Sequence, residues 1–220
     1  NVGDVILQRF PVSAIIGLIS SALAILFGVV FGSLAAVYHN KWIDKTIMVF
    51  STAAVAMPSF VIATILLLSF CGVNGILPIG GDTWQGLILP IVALMMYPAS
   101  YVTRLTRSST LDVLSQDYIR TARAKGVSFV KVIFKHSLRN ALTPVVTYAG
   151  PMIAYVVTGS LVVERIFGVP GIGALFVNCI TNRDYTMIMG TTIFLTVLVI
   201  VMILLSDILY KIINPRVSFD

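Results

Sequence analysis

The side chains that make and break bonds leave recognisable spacings, and this chain has none of them. Its two histidines, His39 and His136, stand too far apart for a local metal motif, and no HExxH, GxSxG or CxxC occurs. No GxxxxGK[ST] phosphate loop is present either. Gly168-Val-Pro-Gly-Ile-Gly173 lacks the GxGxxG spacing and reads as a turn after Glu164. Cys71 and Cys179 are too few for a disulfide framework, though two thiols on one side of a membrane could pair in an oxidising compartment. What the residues offer instead is charge. Eight of the fifteen Lys and Arg lie between Arg104 and Asn140, and Lys131, Lys135 and Arg139 recur every fourth residue, sharing one helical face. Phe129, Val132 and Ile133 offer apolar contact on another face. Such a surface docks; it does not catalyse.

That segment also carries helix punctuation. Ser109-Thr-Leu-Asp112 has the form of a capping box. Asp117 to Gly126 reads as a short helix with Arg123 and Lys125 in its last turn and a glycine stop. Ser128 would cap a second helix, with Val127 and Val132 as its hydrophobic staple. Basic helices beside a membrane also touch anionic lipid. A two-helix element with a glycine joint and apolar side chains fits docking of a cytoplasmic protein better.

The elements that hold this segment belong to lipid. The 220 residues are 58% hydrophobic and 11% charged, with a mean hydropathy of +0.98. A soluble domain carries about 25% charged residues, so this composition excludes a soluble enzyme, a disordered tail and a nucleic-acid module. Charge-free stretches mark five candidate spans, Phe10–Tyr38, about Thr46–Phe70, Thr83–Thr103, Asn140–Val163 and Tyr185–Ser206, with a turn-rich loop at Cys71–Gly81. Of the fifteen Lys and Arg, Arg9, Arg165 and Arg183 fall on one side and the remaining twelve on the other, which the positive-inside rule makes cytoplasmic. The C-terminus is then inside. Asn1 begins outside with no signal peptide before it, so an upstream span beyond this sequence is expected. The net charge of +6 marks the inside face and does not signal a nucleic-acid partner.

Two further patterns bear on mechanism. Ser20, Ala24, Gly28, Gly32 and Ala36 recur every fourth residue and include a GxxxG, the signature of close helix packing. Prolines at 58, 90, 98, 144 and 151 interrupt the spans, as in transporters whose broken backbone lines a cavity. Near them stand Ser59, Tyr97, Tyr101, Thr147, Tyr148, Tyr155 and Thr158, candidates for a polar route or for interhelical hydrogen bonds. The first four spans hold no carboxylate, and Asp207 lies at the end of the last. Ion-coupled carriers bury such groups at the midplane, which disfavours an ATPase-independent carrier or channel.

Ala122-Arg-Ala-Lys-Gly126, followed by His136-Ser-Leu-Arg-Asn-Ala-Leu-Thr-Pro144, resembles the cytoplasmic loop of ABC importer permeases, and the peptide/nickel group in particular. Against the broader pattern Glu-Ala-Ala-x3-Gly-x9-Ile-x-Leu-Pro, Ala122, Gly126 and Leu138 match. Arg120 stands at the Glu position, His136 at the Ile and Arg139 at the Pro. Gly159 to Gly173, with Glu164, Phe167, Pro170, Gly171 and Gly173, and Asn182-Arg-Asp184-Tyr resemble the group's outer segments, with Thr186 where Pro is frequent. The resemblance implies an all-α polytopic helical bundle, one permease domain over residues 1–220, with five spans here and six in the full chain. Residues 104–139 would be its coupling loop. Tyr118, Arg120, Ala122, Arg123, Ala124, Lys125 and Gly126, with Lys131, Lys135, His136 and Arg139, would engage the ATPases. The implied partners are a second homologous permease subunit, two cytoplasmic ATP-binding subunits that hold ATP and Mg, and an extracytoplasmic substrate-binding protein. No cofactor or metal is implied on this chain, which would sit in a bacterial or archaeal cytoplasmic membrane. The implied substrates are di- or oligopeptides, with nickel or another metal chelate as the alternative cargo.

Overall fold

In a computed structural model of the chain, residues 1–72, 75–127, 132 and 138–213 are described. Ten α-helices lie in these segments: α1 Val2–Val37, α2 Trp42–Ala56, α3 Ser59–Leu67, which runs on into a π-helical turn at Leu68–Gly72, α4 Trp84–Leu114, α5 Asp117–Ala124, α6 Leu138–Ala141, α7 Thr143–Val157, α8 Leu161–Ile166, α9 Ile172–Thr181 and α10 Tyr185–Ile213. No strand occurs among the described residues. Four segments are long and apolar enough to cross a membrane: α1, α4, Thr143–Ile166 (α7 with α8) and Tyr185–Ile208 within α10. The broken pair α2 and Ser59–Cys71 makes a fifth. α9 is apolar but too short to cross.

The helices overrun the charge-free stretches because leaving hydrocarbon removes no backbone hydrogen bond. α1 begins eight residues before Phe10 and continues through Pro11. α4 passes Pro90 and Pro98 and carries on to Leu114, so Ser109 lies inside a helix and the expected capping box there does not form. Buried Val102, Thr103, Thr106 and Thr110 on this extension supply packing that overrides the local capping signal. Pro58 behaves differently. Its ψ of 141° is extended, α2 stops at Ala56, and a new helix starts at Ser59. Pro144 sits in the first turn of α7, where a missing N–H costs nothing.

The chain forms two compact units, one of Asn1–Ala22, Met57–Met96 and Gly150–Asp220, the other of Leu23–Ala56 and Tyr97–Ala149. In each, α1 packs on α4 through the small-residue stripe, every member of which is buried. In the first unit the Ser20 hydroxyl donates to the Ile91 carbonyl at 3.2 Å. In the second, a Cβ on Gly28 would lie 2.6 Å from Val102 Cβ, and one on Gly32 would lie 2.6 Å from Thr106 Cβ. The stripe's partner therefore lies within this chain. The first unit also stacks Phe10 edge-on against Phe194 of α10, with centroids 5.3 Å apart.

α10 shows what solvent the fold expects. Met189, Ile193, Val197, Ile200, Leu204 and Ile208 are all exposed, an arrangement that water would not tolerate. Its Thr192 and Thr196 hydroxyls donate to carbonyls four residues back, satisfying themselves without a second helix.

Candidate functional site

α5 is a solvent-exposed helix within the basic segment 104–139. Only Ile119 is buried, at 0% exposure, while Tyr118, Arg120, Arg123, Ala124 and Lys125 face outward and Ala122 is half-buried. One apolar anchor thus holds a helix whose remaining surface lies largely in solvent. The Tyr118 hydroxyl accepts from Asn140 Nδ2 at 3.0 Å, tying α5 to the segment after α6 begins. Arg120 pairs with Asp117 at 3.6 Å, with both side chains in solvent. The helix ends as a Schellman motif: Gly126 N–H donates to the Arg123 carbonyl at 3.0 Å, and Val127 N–H to the Ala122 carbonyl at 3.2 Å. Gly126 takes φ +80°, which needs a glycine, and no atom lies within 4 Å of where its Cβ would stand. Ser128, Phe129, Lys131, Ile133, Lys135 and His136 lie outside the described residues. Arg139 falls in α6, with its side chain outside the description.

Close by in the same unit is an ion cluster that the sequence did not reveal. Asp44, in the first turn of α2, is 3% exposed and accepts two bonds from Arg107 of α4: Nε to Oδ1 at 2.6 Å and Nη2 to Oδ2 at 2.7 Å. Asn40, at φ 62°, aims its N–H at Asp44 Oδ2 from 2.9 Å. His39 Nδ1 stands 3.2 Å from Arg107 Nη2 and 3.5 Å from Asp44 Oδ2. His39, its side chain 45% exposed, stands at the solvent edge of this cluster. The pair fastens the α1–α2 turn to α4 ten residues before α5. A carboxylate two residues before an apolar run, on the basic side, was the available signal.

The polar residues near the prolines divide between the units. Tyr101 and Tyr148 meet in the second, with ring centroids 4.4 Å apart, and Tyr97 and Thr147 are exposed there. Thr147 donates to the Thr143 carbonyl at 3.1 Å. In the first unit Ser59 and Tyr155 are exposed, and Thr158 donates to the Tyr155 carbonyl at 2.8 Å. The two threonines serve their own helices; Ser59 and the four tyrosines make no side-chain hydrogen bond among the described residues.

The Gly159–Gly173 segment folds around one buried carboxylate. Ser160 caps α8, accepting from Val163 N–H at 3.2 Å, and Glu164, 1% exposed, turns inward from that helix. Its Oε2 accepts from Ala174 N–H at 3.2 Å in the first turn of α9, where a negative charge suits the helix dipole. The Ser13 hydroxyl of α1 accepts from Ile172 N–H at 2.9 Å in the same cradle. A Cβ on Gly159 would lie 2.7 Å from Glu164 Oε1 and one on Gly173 2.9 Å from Oε2, while one on Gly171 would collide with Oε2 and with Ser13 Oγ. The glycines are there to make room for the carboxylate. Phe167, Val163, Val169 and Ile172 close the core beneath, each at most 1% exposed. Pro170 is half-buried and stands over Gly81. Asp184, exposed, caps α10 by accepting from Met187 N–H at 3.1 Å. Glu164 lies one residue past the charge-free stretch, so the spans' lack of carboxylates gave no hint of its burial. Cys71 and Cys179 are both free.

Among the described residues no three His, Cys, Asp or Glu side chains gather to hold a metal ion. The arrangement offers two things: an exposed basic helix on a short tether, and a rigid turn built on a glutamate.

Residues 28–219 match the family described as binding-protein-dependent transport system inner membrane component. The chain is 42% identical over 221 residues to the dipeptide transport system permease protein DppB of Bacillus subtilis, covering 99% of this chain and 71% of that protein. It is 43% identical over 224 residues to the oligopeptide transport system permease protein OppB of Haemophilus influenzae, covering 100% and 72%. Among solved structures, the MetNI methionine ABC transporter in an inward-facing conformation superposes with a TM-score of 0.77 over 96% of both chains at 18% identity, a likeness of fold.

Proposed function

The chain belongs to the binding-protein-dependent transport system inner membrane components, and from that premise we propose that it is a permease subunit of an ATP-driven importer of di- or oligopeptides. The observation that carries the mechanism is α5, anchored by buried Ile119 with Ala122 half-buried, its other side chains exposed, and closed by the Gly126 Schellman turn. Tyr118, Arg120, Ala122, Arg123, Ala124, Lys125 and Gly126 form the surface that seats in a groove of a cytoplasmic ATPase, with Lys131, Lys135, His136 and Arg139 continuing it. ATP and Mg are held by two such subunits. A second homologous permease completes the path, and an extracytoplasmic binding protein supplies substrate. The C-terminus lies in the cytoplasm in this reading, which the twelve-to-three distribution of Lys and Arg supports.

The work is alternating access. ATP-driven closure of the ATPases displaces α5, and the Asp44–Arg107 pair transmits that movement from α4 to the α1–α2 turn. Tyr97, Tyr101, Tyr148 and Tyr155, with Ser59, offer hydroxyls along the route. Thr147 and Thr158 support its helices. No charged group lies in the charge-free stretches to choose among cargoes, so selection rests with the binding protein.

The test is capture of the full-length protein from its native membrane, identification of the co-purifying subunits, and reconstitution in liposomes. ATP-dependent accumulation of a radiolabelled dipeptide, lost in Ile119→Asp with the permease subunits still assembled, supports the assignment. Uptake without any ATPase, or of a nickel chelate in place of peptide, overturns it.

A further inference from the structure

Within the first unit the turn between α8 and α9 opens a cavity of about 230 Å³, walled by Arg9 of α1 and by Arg165, Pro170, Leu175 and Asn178. Two of the three cations on the sparsely charged side of the chain converge here. Arg9 Nη1 donates to the Pro170 carbonyl at 3.4 Å, across 161 positions of sequence. Arg165 Nη1 donates to Asn178 Oδ1. Neither guanidinium has an acidic partner among the ion pairs of the described residues, and both are exposed. Glu164, beneath the floor, is turned toward the backbone of α9 and serves Ala174. The cavity therefore presents the open N–H groups of two planar forks, a geometry that takes a carboxylate through paired hydrogen bonds.

Cations on the outer side run against the positive-inside bias, so bringing two of them into one cavity with no carboxylate partner among the described residues calls for an anion from elsewhere. We propose that the Arg9–Arg165 cavity is the seat of an Asp or Glu side chain on the extracytoplasmic protein that delivers substrate. The inference rests on the importer reading above and adds to it a specific contact. The exposure of both arginines favours a large partner that arrives from solvent and covers them, desolvating the pair as it docks.

The experiment uses the assembled complex in liposomes, with ATP hydrolysis measured as the peptide-loaded binding protein is titrated in. Arg9→Gln and Arg165→Gln are each expected to raise the half-maximal concentration up to roughly fivefold. Arg9→Glu should raise it more than tenfold, and the maximal rate should stay unchanged. Higher salt should weaken docking of the wild type and leave the double Gln variant nearly unaffected. Asn178→Ala, which keeps both charges, should shift the titration little; a shift equal to that of Arg165→Gln would show a merely structural role and overturn the proposal. Binding protein loaded with a C-terminally amidated peptide should behave as with the free acid. Loss of the arginine effect with the amide would assign the cavity to the substrate's own carboxylate and overturn the proposal too. A wild type that responds, with Gln variants that respond identically, refutes this inference alone. A wild type indifferent to every binding protein refutes the importer reading beneath it.

Discussion

Asp44 and Arg107 form a pair whose two ends are unequally buried, and the inequality predicts unequal mutants. Asp44 is 3% exposed and Arg107 21%. Breaking a buried pair from one side costs about 3–5 kcal/mol, because the remaining charge is left without its partner. Arg107→Ala leaves the carboxylate buried, with the Asn40 N–H still bonded to it and the emptied space open to water. The low end, about 3 kcal/mol, applies. Asp44→Asn leaves a guanidinium that already reaches solvent and keeps one acceptor oxygen for it, so the loss is about 1 kcal/mol. Arg107→Lys falls between, since one ammonium cannot span both carboxylate oxygens. At about 2–4 °C per kcal/mol for a chain of this size, Arg107→Ala should melt roughly 6–12 °C below wild type and Asp44→Asn roughly 2–4 °C below. Thermal melts of the detergent-solubilised complex give the order of the variants, which survives the scan-rate dependence of irreversible unfolding. The double variant should melt above Arg107→Ala alone, since Asp44→Asn removes the buried charge that Arg107→Ala leaves without a partner. Asp44→Asn melting below Arg107→Ala, or a double variant showing the full sum of the single losses, would refute the reasoning.

Two further outcomes follow from packing and burial. Gly28→Ala places a methyl 2.6 Å from both Cβ and Cγ1 of Val102 and 2.9 Å from the Ala99 carbonyl oxygen, and should cost about 1–3 kcal/mol of stability, of which Val102→Ala in the same chain recovers only the Cγ share; a Gly28→Ala chain with the folded yield and melting temperature of wild type would mean that α1 and α4 do not meet there. Burial, and then the nearby Asp184 carboxylate, push the Cys179 thiol up, so its reactive thiolate forms only at higher pH than for an ordinary thiol. Maleimide labelling of a Cys71→Ser chain should therefore be slow at neutral pH and rise steeply in alkali, whereas rapid labelling at neutral pH would contradict the burial of Cys179.

Much of the coupling segment could be read directly. The helix from Asp117, its stop at Gly126 and the exposure of its basic residues follow from local rules, because a Schellman turn is decided by one glycine and the few residues before it. The small-residue stripe in α1 was equally legible, since period-four spacing fixes a helical face regardless of what packs on it. The expected capping box at Ser109 failed for the opposite reason: α4 continues on tertiary contacts made by Val102, Thr106 and Thr110, which no window of local sequence contains.

The sequence by itself determined that this chain lives in lipid, which side is basic, and which short basic helix ends on a glycine turn, because hydropathy, charge counts and turn chemistry are sums over neighbouring residues. Only the tertiary structure decided that α4 receives the α1 stripe, that Asp44 meets Arg107, that three glycines make way for Glu164, and that Arg9 and Arg165 share a cavity. Each of these joins residues from distant parts of the chain. Burial of a charge or an unfilled glycine surface becomes tolerable only through a partner whose position the fold alone sets.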